Sequence, residues 1–181
     1  MDRLNALFYI FFIGASFTLH AQKLFSTKTG QVKFNASTPL EQVAAVNNQV
    51  DSKMIDKTGQ IVFSVLIKSF RFDNQLMEDH FNENYLESSK FPKSDFKGFI
   101  TNISTIDFSR EGKYPVSLEG SLTIHGVSQK ISAAGILTII GGKPVITGSF
   151  KIKIKDYGIT GSYIGEKIAS EVEITIKCQY E

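Results

Sequence analysis

The sequence predicts an all-β protein, an antiparallel barrel of about eight strands with one short helix inserted. Three observations carry this. Apolar and polar residues alternate strictly over long stretches, which is the mark of strands with one buried face. Hairpin-sized turn signals separate those stretches. A single segment breaks the two-residue rhythm with helical spacing.

The first residues stand apart from this pattern. Leu4 to Leu19 form a nearly unbroken apolar run behind Arg3, short for a membrane span and about right for the core of a signal peptide. Ala21 supplies a small residue for cleavage, so residues 1–21 are expected to be a removed signal and 22–181 a single domain outside the cytoplasm, periplasmic or secreted. Removal would take one acid, Asp2, and one base, Arg3, and leave the net charge at +2. Nothing in that balance points to a nucleic-acid partner. Cys178 is the only cysteine, so no intrachain disulfide can form and the fold rests on burial and hydrogen bonds.

Along the domain, "KTGQ" at 28–31 and "DKTGQ" at 56–60 both read as turns, each followed by a strand. From Asp73, a plausible N-cap, apolar residues fall at Leu76, Met77, Phe81, Tyr85 and Leu86, which predicts a short helix that Pro92 cannot continue. "REGKYP" at 110–115 opens a strand in which Tyr114, Val116, Leu118, Gly120, Leu122 and Ile124 share one face, with Ser117 to His125 on the other. "HGVSQ" at 125–129 and "GGKP" at 141–144 are the next turns, and Ile146, Gly148, Phe150, Ile152 and Ile154 share the following inward face. The Gly- and Ser-rich stretch 156–170 reads as a loop. In the last strand Val172, Ile174, Ile176, Cys178 and Tyr180 point inward, which makes Cys178 an inert buried thiol. Long alternations punctuated by glycine suit a coiled, closing sheet.

Chemistry finds little material here. The domain keeps only His80 and His125, with no thiolate at ligand spacing, and no cofactor or metal is expected. No nucleophile elbow, phosphate loop or zinc-protease motif is present. Aromatic content is high, with 15 Phe and 6 Tyr but no Trp. Phe34, Phe63, Phe96, Tyr114 and Phe150 fall where a small barrel's interior would be. Long strands and an amphipathic helix offer more apolar surface than a side-chain-filled barrel needs, which leaves room for a hydrophobic guest.

The segments "HFNENYLESSKFPKSDFKGFI", "GKYPVSLEGSLTIHGVSQKI" and "KIKDYGI" together resemble the YceI-like family of lipid- or polyisoprenoid-binding domains, from about Lys23 to Glu181. Phe91, Pro92 and Phe96 match one family element, Leu122, Thr123, His125 and Gly126 a second, and Asp156, Tyr157 and Gly158 a third. The chain departs where many members carry an arginine, having Ile154 between Lys153 and Lys155. The resemblance implies an elongated lipocalin-like barrel with a helix near its mouth and a long isoprenoid or fatty chain in an apolar tunnel.

On that reading, ligand contacts are expected from Phe34, Phe63 and Ile67 on the first strands, from Phe96, Leu118, Phe150 and Ile152 on the later ones, and from Tyr157. Phe81, Tyr85, Leu86 and Phe91 would close one side over the interior, with His80 near a polar head. Asn82, Glu83, Asn84 and Glu87 would hydrogen-bond backbone at the helix end. The expected protein is an exported, non-enzymatic carrier of a long-chain hydrophobic molecule. Two alternatives stay open: a filled barrel acting as a stress-related interaction module, and a lipid-modifying enzyme using His80 with Glu83 or Glu87. A homodimer through a strand edge or the helix is also left open.

Overall fold

The computed structural model describes residues 22–181, so the apolar run 4–19 and the cleavage site at Ala21 lie outside the described residues. Eight antiparallel strands close into one barrel in simple sequence order. They are β1 (Leu24–Asn35), β2 (Ala44–Ile55), β3 (Gln60–Leu66), β4 (Lys93–Ile100), β5 (Gly112–Ile124), β6 (Val127–Ile140), β7 (Lys143–Lys153) and β8 (Glu171–Gln179). Closure leaves no free edge at either end of the sheet.

The period-two pattern predicts most of this directly. Val116, Leu118, Leu122 and Ile124 of β5 are buried between exposed or half-buried neighbours, and Val172, Cys178 and Tyr180 at the carboxyl end are buried in the same way. Four of the five turn signals fall at or next to strand ends. The exception is "KTGQ" at 28–31, which is no turn: β1 runs straight through it with register shifts on either side of Gly30. The bulge changes the strand's phase, so that Phe25 and Thr27 face inward before it and Val32 and Phe34 after it. Gly30 is required there, because a Cβ at that position would overlap the Cys178 Sγ and lie 3.1 Å from Val50 Cβ.

The predicted helix forms as α1 (Gln75–His80) and widens into one π turn over Phe81–Tyr85. Its N-cap is Asn74, whose side chain accepts a hydrogen bond from the Leu76 amide, and not Asp73. The stretch 156–170 is irregular as expected, apart from the end of a 3₁₀ turn over Ile154–Tyr157 and an isolated pairing of Ile164 with Ile168. Among the described residues no helix is long and apolar enough to cross a membrane.

Packing divides the barrel into two halves. One half is solid: Phe25, Val50, Met54, Ile61, Ile100, Leu137, Ile139, Cys178 and Tyr180 are all at most 2% exposed. A buried hydrogen-bond chain within it is satisfied. Ser52 Oγ donates to the Val62 carbonyl at 2.8 Å and so accepts from the Tyr180 hydroxyl, also at 2.8 Å. Tyr114 belongs to this half, its hydroxyl donating to the carbonyls of Asp107 and Arg110. The other half is hollow.

Candidate functional site: an apolar cavity under the helix

The hollow half encloses a cavity of about 500 Å³. Its wall is built from the inward positions of seven strands, among them Phe34 of β1, Phe63 and Val65 of β3, Leu118 of β5, Ile131 of β6, Phe150 of β7 and Ile174 of β8. Part of the reason side chains do not fill it is compositional. Gly135 and Gly148 stand opposite one another on β6 and β7 and add no side chain to the interior; a Cβ at Gly135 would lie 2.6 Å from the Thr147 carbonyl oxygen. Gly98 and Gly120, paired on β4 and β5, are covered by the ring of Phe96.

Helix α1 and the segment leading into it form one side. Phe34 stacks on Phe81 with ring centroids 5.4 Å apart, and Phe70 and Phe72 meet both rings at 5.1–5.7 Å. Such edge and offset contacts add about 0.5–1.5 kcal/mol per pair beyond area burial. Arg71 holds this segment in place: its backbone pairs with Val46 and its guanidinium donates to Glu78 Oε1 at 3.0 Å. On the opposite side Tyr85 packs against Gly161, where a Cβ would sit 2.7 Å from the ring. Burial first, and then the nearby Tyr163, hold the Tyr85 phenol above its ordinary pKa, so the hydroxyl is a neutral donor. Polar groups gather at the mouth: Glu41, Asn74, His80, Tyr163 and Lys167.

Ten of the twelve residues predicted to meet a ligand line this cavity: Phe34, Phe63, Ile67, His80, Phe81, Tyr85, Phe96, Leu118, Phe150 and Ile152. Two lie outside its lining. Phe91 packs edge-on against His125 at 4.6 Å and covers Gly126, so it braces the β5–β6 turn from outside. Tyr157 is buried in the 3₁₀ turn after β7, with its carbonyl 3.4 Å from His125 Nδ1. Tyr114, expected in the interior, packs against the core there, in the solid half and away from the cavity lining.

The polar residues of the helix end also divide. Asn82 donates to the Glu78 carbonyl at 2.9 Å as predicted, while Glu83 and Asn84 are exposed. Glu87 bonds to the His125 side chain and not to backbone. The sequence reading missed Phe70 and Phe72, although "FRF" shows the alternation of an inward strand, and it missed Tyr163 and Lys167 inside a stretch read only as loop.

These elements make the chain a closed antiparallel β-barrel with an apolar cavity and a short helix along one side of it. A family model of the YceI-like domain matches residues 14–180, and the chain belongs to that family. A polyisoprenoid-binding domain from Saccharophagus degradans, implicated in plant cell wall breakdown, superposes with a TM-score of 0.76 at 12% identity, covering 87% of this chain and 97% of that one. BcnA of Burkholderia cenocepacia gives 0.71 at 15% identity, with 84% and 96% covered. A Campylobacter jejuni YceI protein gives 0.54 at 15% identity, with 100% and 93% covered. At these identities the likeness establishes a shared fold. No curated protein matches the chain.

Proposed function

We propose that this protein is an exported carrier that holds a long apolar chain, an isoprenoid or a fatty chain, in the hollow half of its barrel. The observation that carries the reading is the cavity: about 500 Å³, walled by aliphatic and aromatic side chains, with polar groups at its mouth. That volume lies within the range of small-molecule sites, roughly 300–1,000 Å³. A guest there would gain about 25 cal/mol for each Å² of apolar surface withdrawn from water, with no need of a charged contact. His80 and Lys167, at the mouth, are the groups placed to meet a polar head. The apolar run 4–19 supports export.

The geometry favours binding over catalysis. His80 is exposed, and the Glu87 carboxylate is engaged by His125. The filled-barrel alternative has less support, because its premise was an interior occupied by side chains.

Expression of the full chain in a bacterial host tests both parts. Amino-terminal sequencing of the protein from the periplasm or medium should begin at Gln22. Native mass spectrometry, followed by solvent extraction, should release a lipid. Protein that carries none, and binds neither added prenyl alcohols nor fatty acids, would overturn the carrier reading.

A further inference from the structure

The β6–β7 ladder stops half-way. It pairs Ile140 with Lys143 and continues to Gly135 opposite Gly148, and beyond that point, among the described residues, no backbone pairing joins Val127–Ala134 of β6 to Ser149–Lys153 of β7. Both strands continue and both are paired on their other sides, β6 with β5 and β7 with β8. Among the described residues no side-chain hydrogen bond or ion pair joins the two lips either. On β7, Ser149 donates to Glu173 at 2.8 Å and Lys151 pairs with Glu171 at 3.1 Å, so both lean on β8. On β6, Ser128 bonds to Thr123 of β5 at 2.7 Å. Each lip is braced to its own neighbour.

The gap has defined ends. The glycine pair closes one. At the other, Gln129 Nε2 donates to the Asp156 carbonyl at 2.7 Å. Between them lie about five residues on each strand, some 16 Å at about 3.3 Å per residue. The inner faces of the lips, Ile131 and Ala133 against Phe150 and Ile152, all belong to the cavity wall. A shallow hollow on the outer surface is lined by Ala134, Gly135, Thr147 and Gly148, four residues that also line the cavity inside. The wall is one backbone thick there, with no side chain at either glycine. The β2–β3 ladder also stops short, but Asn47 donates across to the Leu66 carbonyl and Arg71 pairs with Val46, so that break is closed.

We propose that the unpaired stretch between β6 and β7 is a lateral portal through which an apolar chain enters and leaves the cavity, separate from the mouth under the helix. The proposal rests on the carrier reading and adds the route. An unpaired pair of strands can part without breaking backbone hydrogen bonds, whereas parting any fully laddered pair must break several. A chain sliding in sideways along Ile131 and Phe150 would also stay against apolar surface throughout.

The test is a removable constraint across the slit. Ser132→Cys and Lys151→Cys place two exposed thiols on opposite lips, while the native Cys178 is buried with its thiol pushed up to about 12 and does not compete. The doubly substituted protein is bridged with a short bis-maleimide, and a second sample is capped with a monofunctional maleimide. Uptake and release of cis-parinaric acid are then followed by stopped-flow fluorescence. Bridging should slow both rates by at least about fivefold and leave the Kd within about twofold, as expected of a gate; capping should change neither the rates nor the Kd.

An unchanged uptake rate in the bridged protein overturns the portal, and so does a weaker Kd at an unchanged uptake rate. If the doubly substituted protein does not fold, Lys130→Cys with Lys153→Cys, two exposed positions on the same lips and outside the cavity lining, is bridged and read by the same criterion. Capped protein that binds no probe at all overturns the carrier reading, and the portal with it.

Discussion

Glu87 Oε2 lies 2.7 Å from His125 Nε2, and both residues have positive φ, 42° and 51°. The His125 side chain is only 13% exposed and lies against the ring of Phe91. The pair joins the end of the helical segment to the β5–β6 turn, 38 residues apart in the chain, and two left-handed residues are held there by what they bond to. Glu87→Ala should cost about 1–3 kcal/mol in urea unfolding, because it loses the bond and keeps the strained backbone. Glu87→Gly loses the bond but relaxes the backbone, and should be the milder substitution by about 1 kcal/mol. Equal costs would mean that the positive φ carries no strain.

The chain from Tyr180 to Ser52 to the Val62 carbonyl lies wholly inside the solid half. Ser52→Ala should therefore cost about 1–3 kcal/mol, since it leaves the Tyr180 hydroxyl buried and unpaired. Tyr180→Phe in the Ser52→Ala background should cost less than it does alone. A double-mutant cycle in denaturant that shows strict additivity would remove the coupling from this account.

Gly30→Ala should be strongly destabilising, by about 2 kcal/mol or more, through overpacking against Cys178 Sγ. Cys178→Ala should recover part of that loss, and only part, because Val50 remains 3.1 Å from the added Cβ. Thermal melts of the two single variants and the double variant decide it.

Burial pushes the Cys178 thiol up to about 12. It raises the Tyr180 phenol too, with the neighbouring Cys178 adding to the shift and the bond to Ser52 opposing it. In the unfolded chain these groups ionise near 8.5 and 10. Above about pH 8.5 the unfolded state therefore binds fewer protons than the folded one, and stability falls as pH rises. For Cys178 the loss runs from there to about 12; below that window neither group contributes a slope. Urea midpoints measured from pH 7 to 11 should decline above pH 9, and the Cys178→Ala, Tyr180→Phe double variant should decline less.

On the carrier reading, Phe150→Asp places a carboxylate in the cavity wall, where it has neither water nor a partner once a chain is bound, and should abolish lipid retention. Phe99→Asp on the outer face of β4, at a position 52% exposed, should leave retention unchanged. Retention measured by native mass spectrometry separates the two; similar losses from both would point to a general defect in folding.

The strand faces were legible because the pleat is a local property. From Tyr114 to Ile124 and from Val172 to Tyr180, alternation alone says which side chains turn inward, and most of the later cavity wall follows from it. The same four letters, "KTGQ", nonetheless make a bulge inside β1 and a turn between β2 and β3. Tertiary context separates the two cases: Cys178 and Val50 crowd Gly30, while Gly59 turns with a φ of 69° and accepts a hydrogen bond from the Ile100 amide. His125 alternates like an outward residue, yet it is turned under Phe91 by a left-handed backbone that no pattern announces. The helix was visible from its spacing, while the pairing of Glu87 with His125 was not, since it depends on where that helix docks. The hollow and the slit belong to the tertiary structure for the same reason. Local sequence determined which side chains face inward; the volume they enclose, and the point where two neighbouring strands stop pairing, were decided by the mutual register of all eight strands, a sum over the whole barrel that no single stretch contains.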